Sequence, residues 1–290
     1  MDLLSLMDAP ASIAGASAAP PPGAQMVLPS APTSGGPMSP ASQVGVGAAH
    51  QPAPASASQV GGDPFVRVLS ESRLTPDATE VIIFLEPTTG ALRNLTLQVE
   101  PPPTLRVALA APPPAAVTGA RVVLPMLSPG GAARLVASVT CAAAVGNEVE
   151  LLGQLVYSDA ASVTEPRVVS FRIPVGLRSL LRPHPIATQD FGSLWPNHSA
   201  EKKITSPSPI ATDPAAFMGM IENKLHIAPV QTIGMECIAC GKLVGSAQTL
   251  LVHGKLGLMN GRAIELTLRS KDPRLTDGLL RAASEAVQAP

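Results

Sequence analysis

The sequence predicts a β-sandwich followed by a small α+β unit, with a disordered stretch ahead of both. Three observations predict it. Between Val66 and Leu177, short segments of alternating apolar and polar residues are separated by clusters of Pro, Gly, Asn and Ser, with no helical period between them. After Pro183 the pattern changes to helix, strands, helix. Residues 1–62 are rich in Ala, Pro, Gly and Ser and hold no Lys or Arg. The expected division is therefore a tail over 1–62, a sandwich over 63–182 and an α+β unit over 183–290.

A segment of the tail's composition cannot bury enough apolar area to offset its ordering entropy, so disorder is expected there. Near its start Leu3-Leu4-Ser5-Leu6-Met7-Asp8 form an apolar cluster, which on residues alone reads as a chance leucine run or a frayed amphipathic turn. Asp63-Pro64-Phe65 is expected to lead into the first strand, with Phe65 anchored in the core. Candidate strands follow at Val66–Leu69, Glu80–Leu85, Leu92–Val99, Leu105–Leu109, Arg121–Met126, Arg134–Ala143, Glu148–Tyr157 and Arg167–Ile173. The period of two is clearest where Leu95, Leu97 and Val99 alternate with Asn94, Thr96 and Gln98. Turn signals such as Pro87-Thr88-Thr89-Gly90, Ser128-Pro129-Gly130-Gly131 and Gly146-Asn147 separate them. About eight short strands with this spacing form the pattern of an antiparallel sandwich; pattern alone also fits an up-and-down barrel.

In the second unit, Thr188 is expected to cap a helix running through Phe191 and Leu194 to Trp195, where Pro196 ends it. Lys202-Lys203-Ile204 reads as an edge strand, since lysines suit a solvent-facing edge. Asp213-Pro214 opens a second helix, with Asp213 at the N-cap and Pro214 at the first helical position. Phe217, Ile221 and Leu225 form its apolar stripe. Strands are expected at Val230–Ile233, Cys237–Leu243, Thr249–His253 and Ala263–Arg269, with a tight turn at Asn260-Gly261 before the last. Asp272-Pro273 starts a final helix with the stripe Leu275, Leu279, Leu280, Ala283 and Val287.

Charge is nearly balanced, 20 basic against 21 acidic residues, which argues against a nucleic-acid-binding protein. No apolar run reaches the ~18 residues that a transmembrane helix requires. The N-terminus has no basic region, so no secretory signal is expected. Three cysteines point to a reducing, cytosolic setting rather than a disulfide framework. Cys237 and Cys240 have the spacing of a redox or zinc motif, yet a spacing of three puts them on opposite faces of a strand, and His226 and His253 stand alone as further ligands. Neither a metal nor a cofactor is expected. Nucleophile-elbow, P-loop, zincin and dinucleotide-binding motifs are missing from the sequence. Asp159, Glu165 and Glu201 read as isolated acids in surface loops. The rival reading, a two-domain hydrolase or carbohydrate-active protein with a sandwich accessory module, needs converging carboxylates. Asp190 and Glu201 are the only acids near the junction to supply them.

The residues after the junction carry a resemblance. Arg182-Pro183, Ile186-Ala187-Thr188 and Phe191-Gly192-Ser193-Leu194-Trp195 are similar to the start of the platform subdomain in the C-terminal appendage, or ear, of large adaptin subunits. Among these, the chain is most similar to the epsilon-type subunit of the fourth adaptor protein complex. Asn223-Lys224-Leu225-His226-Ile227, Thr232-Ile233-Gly234, Ala239-Cys240-Gly241-Lys242-Leu243, Leu250-Leu251-Val252-His253 and Leu266-Thr267-Leu268-Arg269 agree in order and spacing. The resemblance covers the last third of the chain. It implies an immunoglobulin-like sandwich for the first unit and a non-catalytic appendage of a vesicle-coat adaptor. Such an appendage binds short linear motifs of accessory trafficking proteins and sits in the cytoplasm, peripheral to trans-Golgi or coated-vesicle membranes.

The tail would be the end of the adaptin hinge, and its Leu3–Asp8 cluster is one residue out of register with a clathrin-binding box, with Met7 where an acid belongs. Asp63-Pro64-Phe65 resembles the peptide that accessory proteins dock on ears. The family's helical trunk is missing, so the chain reads as a fragment or a free-standing ear, and other adaptor subunits become partners only through a trunk elsewhere. The resemblance places Trp195, Phe191 and Arg269 in a peptide-binding platform site. The residues themselves leave two readings open for Trp195 and Phe191, an interface anchor or a seal between platform and sandwich. Glu265 stands where relatives carry a second arginine, which implies a ligand preference other than acidic peptides.

Overall fold

The computed structural model describes residues 53–146, 148–159 and 165–288. The Leu3–Asp8 cluster and the expected tail up to residue 52 lie outside them. The chain opens with β1 (Ser58–Gly62), β2 (Val66–Leu74), β3 (Thr79–Pro87), β4 (Leu92–Glu100) and β5 (Leu105–Ala110). There follow β6 (Ala116–Thr118), β7 (Arg121–Leu127), β8 (Ala133–Cys141), β9 (Glu148–Asp159) and β10 (Arg167–Gly176). These strands build two antiparallel sheets, ordered β1-β2-β3-β8-β5 and β10-β9-β4-β7-β6. The sandwich reading holds, and every expected strand is present.

The period of two decides what each strand buries. On β8, Ala133, Leu135, Ala137, Val139 and Cys141 all face the core, and on β4 Leu95, Leu97 and Val99 do the same. The chain has five Phe, one Tyr and one Trp, so aromatic rings are scarce. Phe171 on β10 lies directly across from Gly153 on β9, and a Cβ on that glycine would lie 2.0 Å from the ring. The missing side chain is what lets the ring lie down on the sheet.

The second unit runs through α1 (Leu177–Leu180), β11 (Leu181–Pro183), α2 (Thr188–Leu194), a 3₁₀ turn (Trp195–Asn197), β12 (Ala200–Pro207) and α3 (Pro214–Leu225). It continues with β13 (Ala228–Ile233), β14 (Glu236–Leu243), β15 (Thr249–Gly257), β16 (Ala263–Ser270) and α4 (Pro273–Gln288). The sheet is ordered β11-β14-β15-β16-β12, and β13 shares one edge of β14 with β11. The lysine-bearing β12 is the opposite edge, as expected. Between β15 and β16 the chain reverses through Met259, Asn260 and Gly261, all at positive φ. Asp213 caps α3 by accepting from the Ala216 N–H at 2.9 Å.

Helices α3 and α4 cover one face of this sheet. Phe217, Ile221, Leu225, Leu275 and Leu279 pack there with Cys237, Ala239, Val252 and Leu266. The core is continuous with that of the sandwich through Leu177, Leu180 and Leu181. Arg182 locks the junction. Its guanidinium is buried and donates to the carbonyls of Thr75, Ala78, Ser179 and Leu181 and to the Thr79 hydroxyl, at 2.6–3.0 Å.

Several expectations need correction. The ordered sandwich begins before residue 63, because Ser58–Gly62 pairs with β2 as an edge strand. Its sequence, with two glycines and no alternation, carries no strand signal. Asp63-Pro64-Phe65 leads into the strand at Val66 as expected, but as a turn from β1. Asp63 Oδ1 accepts the N–H groups of Phe65 and Val66, and its Oδ2 accepts the Tyr157 hydroxyl at 2.5 Å. Phe65 is half-buried and packs against the core as expected, with the Arg167 guanidinium 4.0 Å above its ring. At α2 the N-cap is Ala187, not Thr188. The Thr188 hydroxyl instead donates to Gln231 Oε1 at 2.6 Å.

Candidate peptide-binding face

The face of the second sheet not covered by α3 and α4 carries α2 and the 3₁₀ turn. Beneath them is a small apolar cluster of Phe191, Ile238, Cys240 and Leu251, with Ile186, Leu194, Trp195 and Val230 packed on it. Strand alternation creates this second layer: Cys237 and Ala239 of β14 face the helices, while Ile238 and Cys240 face α2. The CxxC pair is thus split between two faces. Burial pushes the Cys240 thiol up to about 12 and raises that of Cys237 as well, so both stay protonated at neutral pH. Among the described residues no three His, Cys, Asp or Glu side chains gather to hold a metal ion.

Trp195 is half-buried on this layer. It stacks on Phe191 with ring centroids 5.4 Å apart, and His253 meets it edge-on at 5.9 Å. The Arg269 guanidinium lies 4.6 Å from the Trp195 ring centroid. One Arg269 nitrogen donates to the Trp195 carbonyl at 3.0 Å, and Nε donates to Glu201 Oε2 at 2.6 Å. The third nitrogen also pairs with Glu201. Glu201 and Arg269 are direct cross-strand partners on β12 and β16. Beside them Lys203 pairs with Glu265 at 3.0 Å, and Glu236 pairs with His253 at 3.0 Å and Lys255 at 3.6 Å.

The three residues expected at the site therefore do come together, in different roles. Trp195 and Arg269 reach the surface; Phe191 is fully buried beneath the tryptophan and can act only as its support. Glu201 is not a loop acid but a strand residue bound to Arg269, and Asp159 ends β9 half-buried, while Glu165 is exposed. His253 does not stand alone; it is buried against Glu236. The acid pair required by the hydrolase reading is not assembled: Glu201 is held by Arg269, and Asp190 is exposed in the first turn of α2.

Comparison with known proteins finds a family likeness over the second unit. The family model described as the adaptin AP4 complex epsilon appendage platform matches residues 183–286. This part of the chain is therefore similar to an adaptin appendage platform. No curated protein matches the sequence. Among solved structures, the GAE domain of GGA2p from Saccharomyces cerevisiae is 13% identical, with 41% of this chain and 96% of that chain covered and a TM-score of 0.31. A DUF4466 family protein from Parabacteroides merdae is 9% identical, with 72% of this chain and 99% of that chain covered and a TM-score of 0.26. The matched region holds Trp195, Arg269 and Glu201 on the sheet face opposite its two long helices.

Proposed function

We propose that the chain is a non-catalytic adaptor appendage that binds short peptide segments of accessory trafficking proteins on the Trp195 face. The observation that supports this reading is the tryptophan itself. Its ring is fixed from below by Phe191, from one edge by His253 and from the guanidinium side by Arg269, yet it stays half-exposed. A large aromatic already immobilised before binding loses little rotamer entropy when a ligand packs on it. Tryptophan and arginine are also the side chains that concentrate binding energy at interfaces. A disordered peptide pays its ordering cost on docking, so single contacts would be weak and several copies of a motif would raise avidity. The place of action in this reading is cytoplasmic, peripheral to trans-Golgi or coated-vesicle membranes. Other adaptor subunits would enter through a helical trunk elsewhere. No described helix is long and apolar enough to cross a membrane.

The test is a pull-down from cytosol with the full chain and with Trp195→Ala and Trp195→Phe. Discrete accessory proteins held by the wild type should be lost with Trp195→Ala and partly kept with Trp195→Phe, while circular dichroism shows both variants folded. Capture of the same partners by a folded Trp195→Ala chain would move the binding face elsewhere, to the sandwich first.

A further inference from the structure

The charges around Trp195 say what kind of peptide that face accepts, an inference that rests on the peptide-binding reading. Three cations on this face have carboxylate partners. Arg269 is held by Glu201, Lys203 by Glu265, and Lys255 by Glu236. The Arg269–Glu201 pair is the one that matters, because Arg269 is the cation in contact with the ring. All three guanidinium nitrogens are engaged, two by Glu201 and one by the Trp195 carbonyl. The pair is also built into the sheet, since the two residues face each other in the β12–β16 register. A carboxylate delivered by its own strand competes at a very high effective concentration. It also forms short charge-assisted bonds that an incoming acid would have to replace one for one.

We infer that Glu201 is a built-in occupant of Arg269 and a specificity-determining residue: it turns the Trp195 face away from peptides with an acid beside their aromatic anchor and toward uncharged ones. An incoming Asp or Glu finds Arg269 already paired and must approach the carboxylates of Glu201 and Glu265. Replacing Glu201 with Gln keeps the shape of the side chain but removes its charge, which leaves Arg269 as a cation stacked on an aromatic ring.

The full chain has one tryptophan, so its fluorescence reports this face alone. Two blocked pentapeptides serve as probes, acetyl-Gly-Asn-Pro-Phe-Gly-amide and its Asp-Pro-Phe twin. They are titrated into wild type and Glu201→Gln at low and high salt. The wild type should prefer the Asn peptide. In Glu201→Gln the ratio of Asp-peptide to Asn-peptide affinity should rise about tenfold at low salt, and the gain should shrink at high salt. A ratio that Glu201→Gln leaves unchanged, with both peptides still moving the Trp195 signal, overturns the role of Glu201 and leaves the peptide-binding reading standing. If neither peptide moves the signal in either protein, the reading of this face and the inference built on it fall together.

Discussion

His198 shows how a single side chain writes a pH dependence into the platform. Its ring is fully buried, with Nδ1 2.8 Å from the Leu194 carbonyl and Nε2 2.8 Å from the Thr249 hydroxyl. A carbonyl only accepts, so Nδ1 carries the proton, and the neutral ring's Nε2 accepts from Thr249. Burial, with the positive charges of Lys271 and Arg269 added, holds its pKa below the ordinary 6.5. Burial shifts His226 in the same direction, helped by Arg182. The sign follows from linkage. Above the ordinary value both folded and unfolded rings are neutral and stability is level; below it the unfolded chain takes up a proton that the folded ring resists. Stability should therefore be full above pH 6.5 and decline as pH falls toward the folded value. Melting temperatures measured between neutral and mildly acid pH should drop for the wild type and drop less steeply for a folded His198→Asn. Parallel curves would remove His198 as the cause. Neither this ring nor the Glu201–Arg269 pair was legible in the sequence, because their partners lie 51 and 68 residues away.

Strands and helices were far more legible, for a local reason. Periods of two and near four are properties of neighbouring residues, so β4, β8, α3 and α4 could be read directly with the faces they bury. Even the split of Cys237 from Cys240 follows from the period alone. Elements without a period escaped notice: β1 carries Gly61 and Gly62, and β6 and β11 span only three residues each. What an element's sequence does not reveal is which gap its aromatic fills. Phe171 needs the empty position at Gly153, where an added Cβ would sit 2.0 Å from its ring. Gly153→Ala should cost about 1–3 kcal/mol in urea denaturation by overpacking. Adding Phe171→Leu to that variant should recover part of the loss, since the branched side chain leaves the collision point. Strictly additive losses would show that the two positions are not coupled.

At the scale of the whole molecule, the cores of the two units meet and a buried arginine bridges them. The five N–H donors of Arg182 all end on oxygen, four on carbonyls of both units' connecting segments and one on Thr79. Lysine would keep the charge but offers three donors without the planar fork. Calorimetry of the wild type should show a single transition. Arg182→Ala should lower stability by at least about 2–3 kcal/mol, the scale of losing hydrogen bonds to a buried charged group, and Arg182→Lys should rescue less than half. Two resolved transitions in the wild type, or full rescue by lysine, would refute the bridge.

By itself the sequence determined that an all-β unit precedes an α+β unit, along with many of the turns and the Asp213 cap. All of these rest on local periodicity and on residues such as Asp213 and Asn260 acting on their own backbone. Tertiary structure alone decided that Phe191 lies beneath Trp195, that Glu201 occupies Arg269, that His253 faces Glu236, and that Arg182 closes the junction. Those contacts depend on strand register and on the packing of layers. Register is set by the hydrophobic faces of the whole sheet rather than by the residues that it brings together.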